Sequence, residues 1–141
     1  MRSIGRAVAV ELARAGCDVV VTGTGRDPST YPEDEKAAGW GDIASVAAEI
    51  EALGRRAVPL VADVASEDGV ADTLQRALDE LGRVDVLVNN AAASRGADRV
   101  RATELATDVW DRVIAVNLRG AFLMSKAFCG SPIVGMKRMS Q

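Results

Sequence analysis

An α/β fold with a doubly wound parallel sheet is what this sequence predicts, and three observations carry that prediction. Segments with apolar residues at helical spacing alternate with short β-branched runs, and glycines stand at most of the joins between them. The alternation runs helix, strand, helix, strand, helix, strand, helix. Right-handed crossovers turn such an order into a parallel sheet with helices on both faces. With 141 residues the chain has the size of one ordinary domain, 1–141.

Each element has its own signal. Ile4, Val8 and Leu12 recur every four residues with Ala9 and Ala13 beside them, which predicts an amphipathic helix stopped at Gly16. Val19-Val20-Val21-Thr22 is a β-branched strand run ended by Gly23 and Gly25. The polar stretch from Gly25 to Asp42, with Pro28, Pro32, Gly39 and Gly41, predicts a long loop. Ile43, Val46, Ala47, Ile50 and Leu53 make the next helical stripe, closed by Gly54.

The pattern then repeats. Ala57 to Ala62 reads as a buried strand in which Pro59 is discordant. Ser66 followed by Glu67 and Asp68 predicts an N-cap and an acidic first turn. Val70, Leu74, Leu78 and Leu81 supply that helix's apolar face, and Gly82 its stop. Val84 to Val88 reads as a third strand ending on Asn89-Asn90. Thr107-Asp108 opens a long helix through Val109, Val113, Ile114, Leu118, Ala121 and Phe122 to about Phe128. Internal repeats and low-complexity tracts are absent from the sequence.

Composition excludes several classes of function. Lys and Arg number 17 against 20 Asp and Glu, a net charge of −3, so no basic surface recommends nucleic acid or an anionic membrane as partner. Apolar runs such as Ala7–Val10, stopped by Glu11, are too short for a membrane span. No signal-like apolar region follows Met1-Arg2, so a cytoplasmic location is expected. Cys17 and Cys129 lie far apart in apolar surroundings and read as buried free thiols. The sequence holds no histidine. That excludes Ser–His and Cys–His nucleophile pairs, His-ligated zinc and a His general base. Chemistry falls to carboxylates, Lys, Tyr, backbone dipoles or a cofactor.

Four short motifs stand at the places where such a fold binds ligands. Arg2-Ser3-Ile4-Gly5-Arg6 opens the first helix, where close backbone approach and free N–H groups suit a pyrophosphate. Asp63-Val64 follows the second strand, and Asn89-Asn90-Ala91-Ala92 the third. Asn117 falls eight residues after Val109 and four after Val113, on an apolar face where its amide needs partners. Asp63 could equally cap the turn that follows it, and Asn89 and Asn90 could tie neighbouring strands through their amides. Gly130 to Lys137 has the outline of a phosphate loop, but Met136 displaces the Lys and no Ser or Thr follows it.

In this order and on these elements, the motifs resemble those of the short-chain dehydrogenase/reductase family, from Arg2 to about Phe128. The resemblance implies a partial NAD(P)-binding Rossmann domain, with Ser3 at the middle glycine of the family's glycine loop and Gly5 at the last. It implies that Asp63 and Val64 contact the adenine. Asn89, Asn90, Ala91 and Ala92 stand for the family's Asn-Asn-Ala-Gly, with Ala92 replacing the glycine. Val116-Asn117-Leu118 carries the Asn of the catalytic tetrad, whose counterpart fixes a helix kink and holds a water for proton relay. The implied activity is an NAD(P)(H)-dependent interconversion of a small-molecule ketone or aldehyde with an alcohol. The family's long helix also packs against its copy in a second subunit. With Trp110, Ile114 and Phe122 on neighbouring faces, a homo-oligomer is expected.

Cofactor choice follows from the end of the first predicted strand. An acid there would accept from the 2′-OH of NAD. Gly23-Thr24-Gly25-Arg26 offers none before Asp27, and Arg2 stands where NADP-preferring members carry a basic residue. NADP is therefore expected in preference to NAD. The sequence also departs from the family. A strand and the Thr-Gly start of the glycine loop should precede Arg2, and a catalytic Ser and Tyr-x-x-x-Lys should follow Gly130. The only tyrosine, Tyr31, lies in the early loop and begins no such motif. Asn117 is then the one tetrad member present, and the chain alone is expected to be inactive. A non-catalytic nucleotide-binding or interaction remnant is the alternative reading.

Overall fold

A computed structural model describes residues 4–27, 29, 33–37, 42–93 and 96–130. They fall into two compact units, residues 1–63 and residues 64–141.

The first unit is built from helix α1 (Ile4–Arg14), strand β1 (Val19–Gly23), the short helix α2 (Glu33–Ala37), helix α3 (Ile43–Ala52) and strand β2 (Ala57–Val61). The two strands pair in parallel from Val19↔Ala57 to Gly23↔Val61. Ala9 and Ala13 of α1, Val19 of β1 and Val46 and Ile50 of α3 close the core, and Leu12, Cys17, Val21 and Ala57 pack against it. The Val46-Ala47-Ile50 set of α3 faces inward as periodicity predicts, but Leu53 is exposed. In α1 the flanking Ala9 and Ala13 are buried, while Ile4 of the expected stripe is exposed and Val8 and Leu12 are half-buried. Asp42 caps α3 by accepting from Ser45 N–H at 2.9 Å. The predicted loop from Gly25 to Asp42 is interrupted by α2, whose Glu33 and Lys36 pair one turn apart at 3.0 Å.

Pro59 does belong to β2, and the register explains how. Arg56 C=O and Ala62 N–H both bond to β1, at 2.9 Å each. Alternate residues of a parallel strand address opposite edges, so even-numbered positions face β1. Pro59 addresses the other edge, where its missing N–H removes no bond to β1.

The second unit contains helix α4 (Glu67–Leu81), helix α5 (Thr107–Ile114), a π-helical segment (Ala115–Gly120) and helix α6 (Ala121–Gly130). Val70, Thr73 and Ala77 of α4 are buried, as is Leu123 of α6, which packs beside it. Ser66 accepts from Gly69 N–H at 3.2 Å to cap α4, and Gly82 ends it in the left-handed region at φ 78°. Val84 to Val88, expected as a strand, pairs with no strand among the described residues, and Val86 and Val88 are exposed. A β-branched run makes a strand only where a neighbour takes its backbone groups, and no described segment of this unit supplies one.

Helical structure continues without a break over Thr107–Gly130, 24 residues, a little beyond the expected end at Phe128. By length and composition alone this helix could cross a membrane, a correction to the reading that no segment approaches a span. Local apolar runs are short, but the helix joins them across Arg119 and Lys126. Most of the helix is exposed, and it is anchored to the unit where Gly120 and Leu123 are buried and Arg119 pairs with Glu67. Cys17 and Cys129 are free thiols as expected, but neither is buried: Cys17 is half-buried and Cys129 exposed.

Candidate functional site

In an open parallel sheet, ligands bind beyond the carboxyl ends of the strands. In the first unit that edge begins where Ala62 N–H donates to Gly23 C=O at 2.9 Å. Beyond it stand Thr24 and Arg26 after β1, and Asp63 after β2, all exposed. Two glycines there let the side chains of Ile43 and Val61 pack against the backbone. A Cβ on Gly23 would stand 2.6 Å from Ile43 Cγ2, and one on Gly25, at φ +66°, would stand 3.0 Å from Val61 Cγ2. Asp27, the first acid after β1 in sequence, accepts a bond from within its own loop. Its Oδ1 accepts from Ser29 N–H at 2.8 Å, and that bond holds its carboxyl below the ordinary aspartate value.

The first helix opens with Ile4 exposed and Gly5 half-buried, while Arg2 and Ser3 lie outside the described residues. Arg6 is turned sideways into an ion pair with Glu49 of α3, its Nε donating at 3.0 Å. A hydroxyl, a guanidinium and a carboxylate therefore share one sheet edge. That donor and acceptor set fits the adenosine ribose and phosphates of a dinucleotide.

In the second unit, Val64 and the Asn89–Ala93 segment are each held by the long helix. Val64 lies against Gly120, where a Cβ would come within 2.8 Å of Val64 Cγ2. Asn89 Nδ2 donates to Ser125 Oγ at 3.1 Å, so its amide ties the segment to α6 and not to a neighbouring strand. Asn117 Oδ1 accepts from Ala93 N–H at 2.8 Å. Asn89, Asn90 and Ala91 are exposed.

Asn117 itself sits inside the π segment and is exposed, whereas Val109 and Val113 are half-buried. This corrects the placement of all three on one apolar face. Hydrogen bonds of the i→i+5 kind break the 3.6-residue phase on which that placement rests. The amide nonetheless finds the partner that its chemistry demands. Ser125, Arg119 and Gly120 were not singled out by sequence. Only Gly120 carried a usable signal, as a lone glycine inside a helical pattern. Tyr31 and the segment from Ser131 to Lys137 lie outside the described residues. Among the described residues, no group of His, Cys, Asp and Glu gathers to hold a metal ion.

Residues 1–137 match the family described as short chain dehydrogenase. Hydroxysteroid dehydrogenase-like protein 2 of Danio rerio is 35% identical over 125 residues, covering 89% of this chain and 28% of that protein. A short-chain dehydrogenase/reductase variant from Serratia marcescens superposes with a TM-score of 0.72 at 28% identity, covering 91% of this chain and 46% of its own. An NAD+-bound xylitol dehydrogenase superposes with a TM-score of 0.72 at 26% identity, covering 89% of this chain and 42% of its own. The chain thus spans less than half the length of each of these relatives. The solved structures have the Rossmann-like α/β fold that the helix–strand alternation predicts.

Proposed function

The chain belongs to the short-chain dehydrogenase family, and from that membership we propose that it holds the nucleotide of an oxidoreductase interconverting a small-molecule ketone or aldehyde with an alcohol. The observation that carries this reading is the carboxyl edge of β1 and β2, where Thr24, Arg26 and Asp63 stand exposed together. When bound, the nicotinamide cofactor accepts or delivers hydride. Thr24 and Asp63 hydrogen-bond the adenosine end, and Arg2, Ser3, Ile4 and Gly5 address the pyrophosphate from the start of α1. Val64 covers the adenine, and Asn89, Asn90 and Ala91 line the path toward the nicotinamide. Asn117 holds that path in place through Ala93.

NADP(H) is the preferred cofactor in this proposal. No carboxylate stands between Gly23 and Arg26 to accept from a 2′-OH, and Arg26 offers a guanidinium to a 2′-phosphate, while Asp63 at the same edge and Asp27, bonded to Ser29 N–H, keep their negative charge. Calorimetric titration of the purified chain with NADPH and NADH tests it. Tighter binding of NADPH, lost on Arg2→Glu or Arg26→Glu, is expected; equal or tighter binding of NADH refutes the preference.

One observation favours a second reading. No Tyr-x-x-x-Lys occurs in residues 1–141, so the proton donor of the reaction is supplied by another part of the protein or not at all. In the second case the chain is a non-catalytic nucleotide-binding or interaction module. Reading the encoding DNA on both sides of this segment, in every frame, separates the two. An in-frame Tyr-x-x-x-Lys downstream supports the oxidoreductase, and a stop in the reading frame supports the module.

A further inference from the structure

Three contacts converge on the π segment, all within the second unit. Asn117 takes Ala93 N–H at 2.8 Å. Arg119 reaches the turn before α4, its Nη1 donating to Ala65 C=O at 3.2 Å and its Nη2 to Glu67 Oε1 at 3.0 Å. Gly120 is buried against Val64, and a Cβ there would stand 2.8 Å from Val64 Cγ2 and 3.2 Å from Val64 O.

Backbone conformation does not explain a glycine at this place, because Gly120 is not among the positive-φ glycines. Inside a helix, glycine costs about 1 kcal/mol relative to alanine. Close approach to Val64 does explain it. Arg119 then holds the next two links of the same turn, on either side of the Ser66 cap. Wide i→i+5 turns mark functional places in helices more often than plain helix does.

We propose that Arg119 and Gly120 are positioning residues for the nucleotide: they seat the Val64–Glu67 turn on the same π segment whose Asn117 seats the Asn89–Ala93 segment. A single helix turn thereby sets the spacing between the surface for adenine and the path toward the nicotinamide. This inference rests on the nucleotide role proposed above for Val64 and for Asn89, Asn90 and Ala91. Neither Arg119 nor Gly120 touches the ligand; both act through Val64 and Ala65. A methyl group at Gly120 must displace Val64, and it leaves the Asn117–Ala93 bond untouched. The adenine end therefore suffers selectively.

The test titrates the full chain with ADP and, separately, with nicotinamide mononucleotide, and follows hydrogen exchange of the unliganded chain. Gly120→Ala is expected to weaken ADP about tenfold, since displacing a contact by a fraction of an ångström has effects of that order. Its affinity for the mononucleotide and its circular dichroism should not change. In a Val64→Ala background, which removes the Cγ2 that the new methyl meets, the same substitution should cost less. Unchanged ADP affinity in a folded Gly120→Ala variant overturns the proposal, as does parallel loss of both ligands. If Gly120→Ala does not fold, Arg119→Met should show the same selective loss and Arg119→Lys should recover part of it; equal loss in both overturns the role of Arg119. A wild-type chain that binds neither ligand defeats the nucleotide reading itself. Hydrogen exchange still judges the positioning: Gly120→Ala must speed exchange at residues 64–67 and not at residues 89–93, and unchanged exchange overturns it.

Discussion

Asp18 stands just before β1 and gathers donors from the residues that lead into β2. Arg56 N–H and Nε each reach it at 3.0 Å, and Arg55 Nη2 at 2.7 Å. The Arg56 backbone bond first, then the Arg56 guanidinium, with Arg55 adding to them, hold its carboxyl below the ordinary value of 3.8 against a smaller desolvation effect. A depressed folded pKa means stability that is present above the unfolded value and lost as pH falls through the folded one. Asp18→Asn should therefore flatten the acid limb of a stability–pH curve below about pH 4 and change its slope little near neutrality. Urea unfolding at a series of pH values checks this, and an unaltered acid limb would discard it. Gly25 is a residue whose identity the geometry demands, through φ +66° and contact with Val61. Gly25→Ala should lower stability by about 1–3 kcal/mol, read from the urea midpoint. The glycine after a strand was legible as punctuation. Its contact with Val61 was not, because that contact joins residues brought together only by the parallel pairing.

At the scale of elements, both ends of α4 were legible. Ser66, the acidic pair Glu67 and Asp68 and Gly82 serve as the sequence predicts, since caps are local devices. The buried face, however, is Val70, Thr73 and Ala77, and Leu74, Leu78 and Leu81 of the expected stripe are only half-buried. Ser66→Ala should cost about 1 kcal/mol by loss of the bond to Gly69 N–H. Gly82→Ala should cost about 1–2 kcal/mol for a side chain forced to φ 78°. Thermal or urea unfolding checks both, and a Gly82→Ala variant as stable as the parent would mean that α4 ends in another way. The long helix was legible in extent but not in phase. Hydrophobic spacing alone cannot reveal a π segment, because six residues of altered hydrogen bonding leave the composition unchanged. Asn117 consequently lies off the face to which simple periodicity assigns it.

At the scale of the whole molecule, apolar surface stands uncovered. Trp110 is 55%, Leu118 64% and Phe122 60% exposed, all on the long helix. Pairing of β1 with β2 alone also leaves each strand an open edge among the described residues. We propose that the chain self-associates through that helix, as the expected homo-oligomer requires. Sedimentation at low micromolar concentration should find dimers or larger species, and Phe122→Asp should shift them toward monomer. A monomeric wild-type chain that unfolds cooperatively would refute this. NADPH oxidation assays with carbonyl substrates should show no turnover by the isolated chain. Turnover that survives purification and depends on Asn117 would mean that a proton donor is present where none is recognised.

What the sequence determined by itself is whatever depends on near neighbours: the alternation of helix and strand, the helix caps, the glycine stops and the family to which the motifs point. These follow from backbone propensity and spacing within a dozen residues. Tertiary structure decided the rest. It placed Pro59 on the edge that needs no donor, left Val84 to Val88 without a ladder, and turned Asn117 toward Ala93. It also set Gly120 against Val64, 56 positions earlier in the chain (120 − 64). Register, ladder pairing and close approach depend on where distant segments meet, and a one-dimensional pattern does not hold that distance.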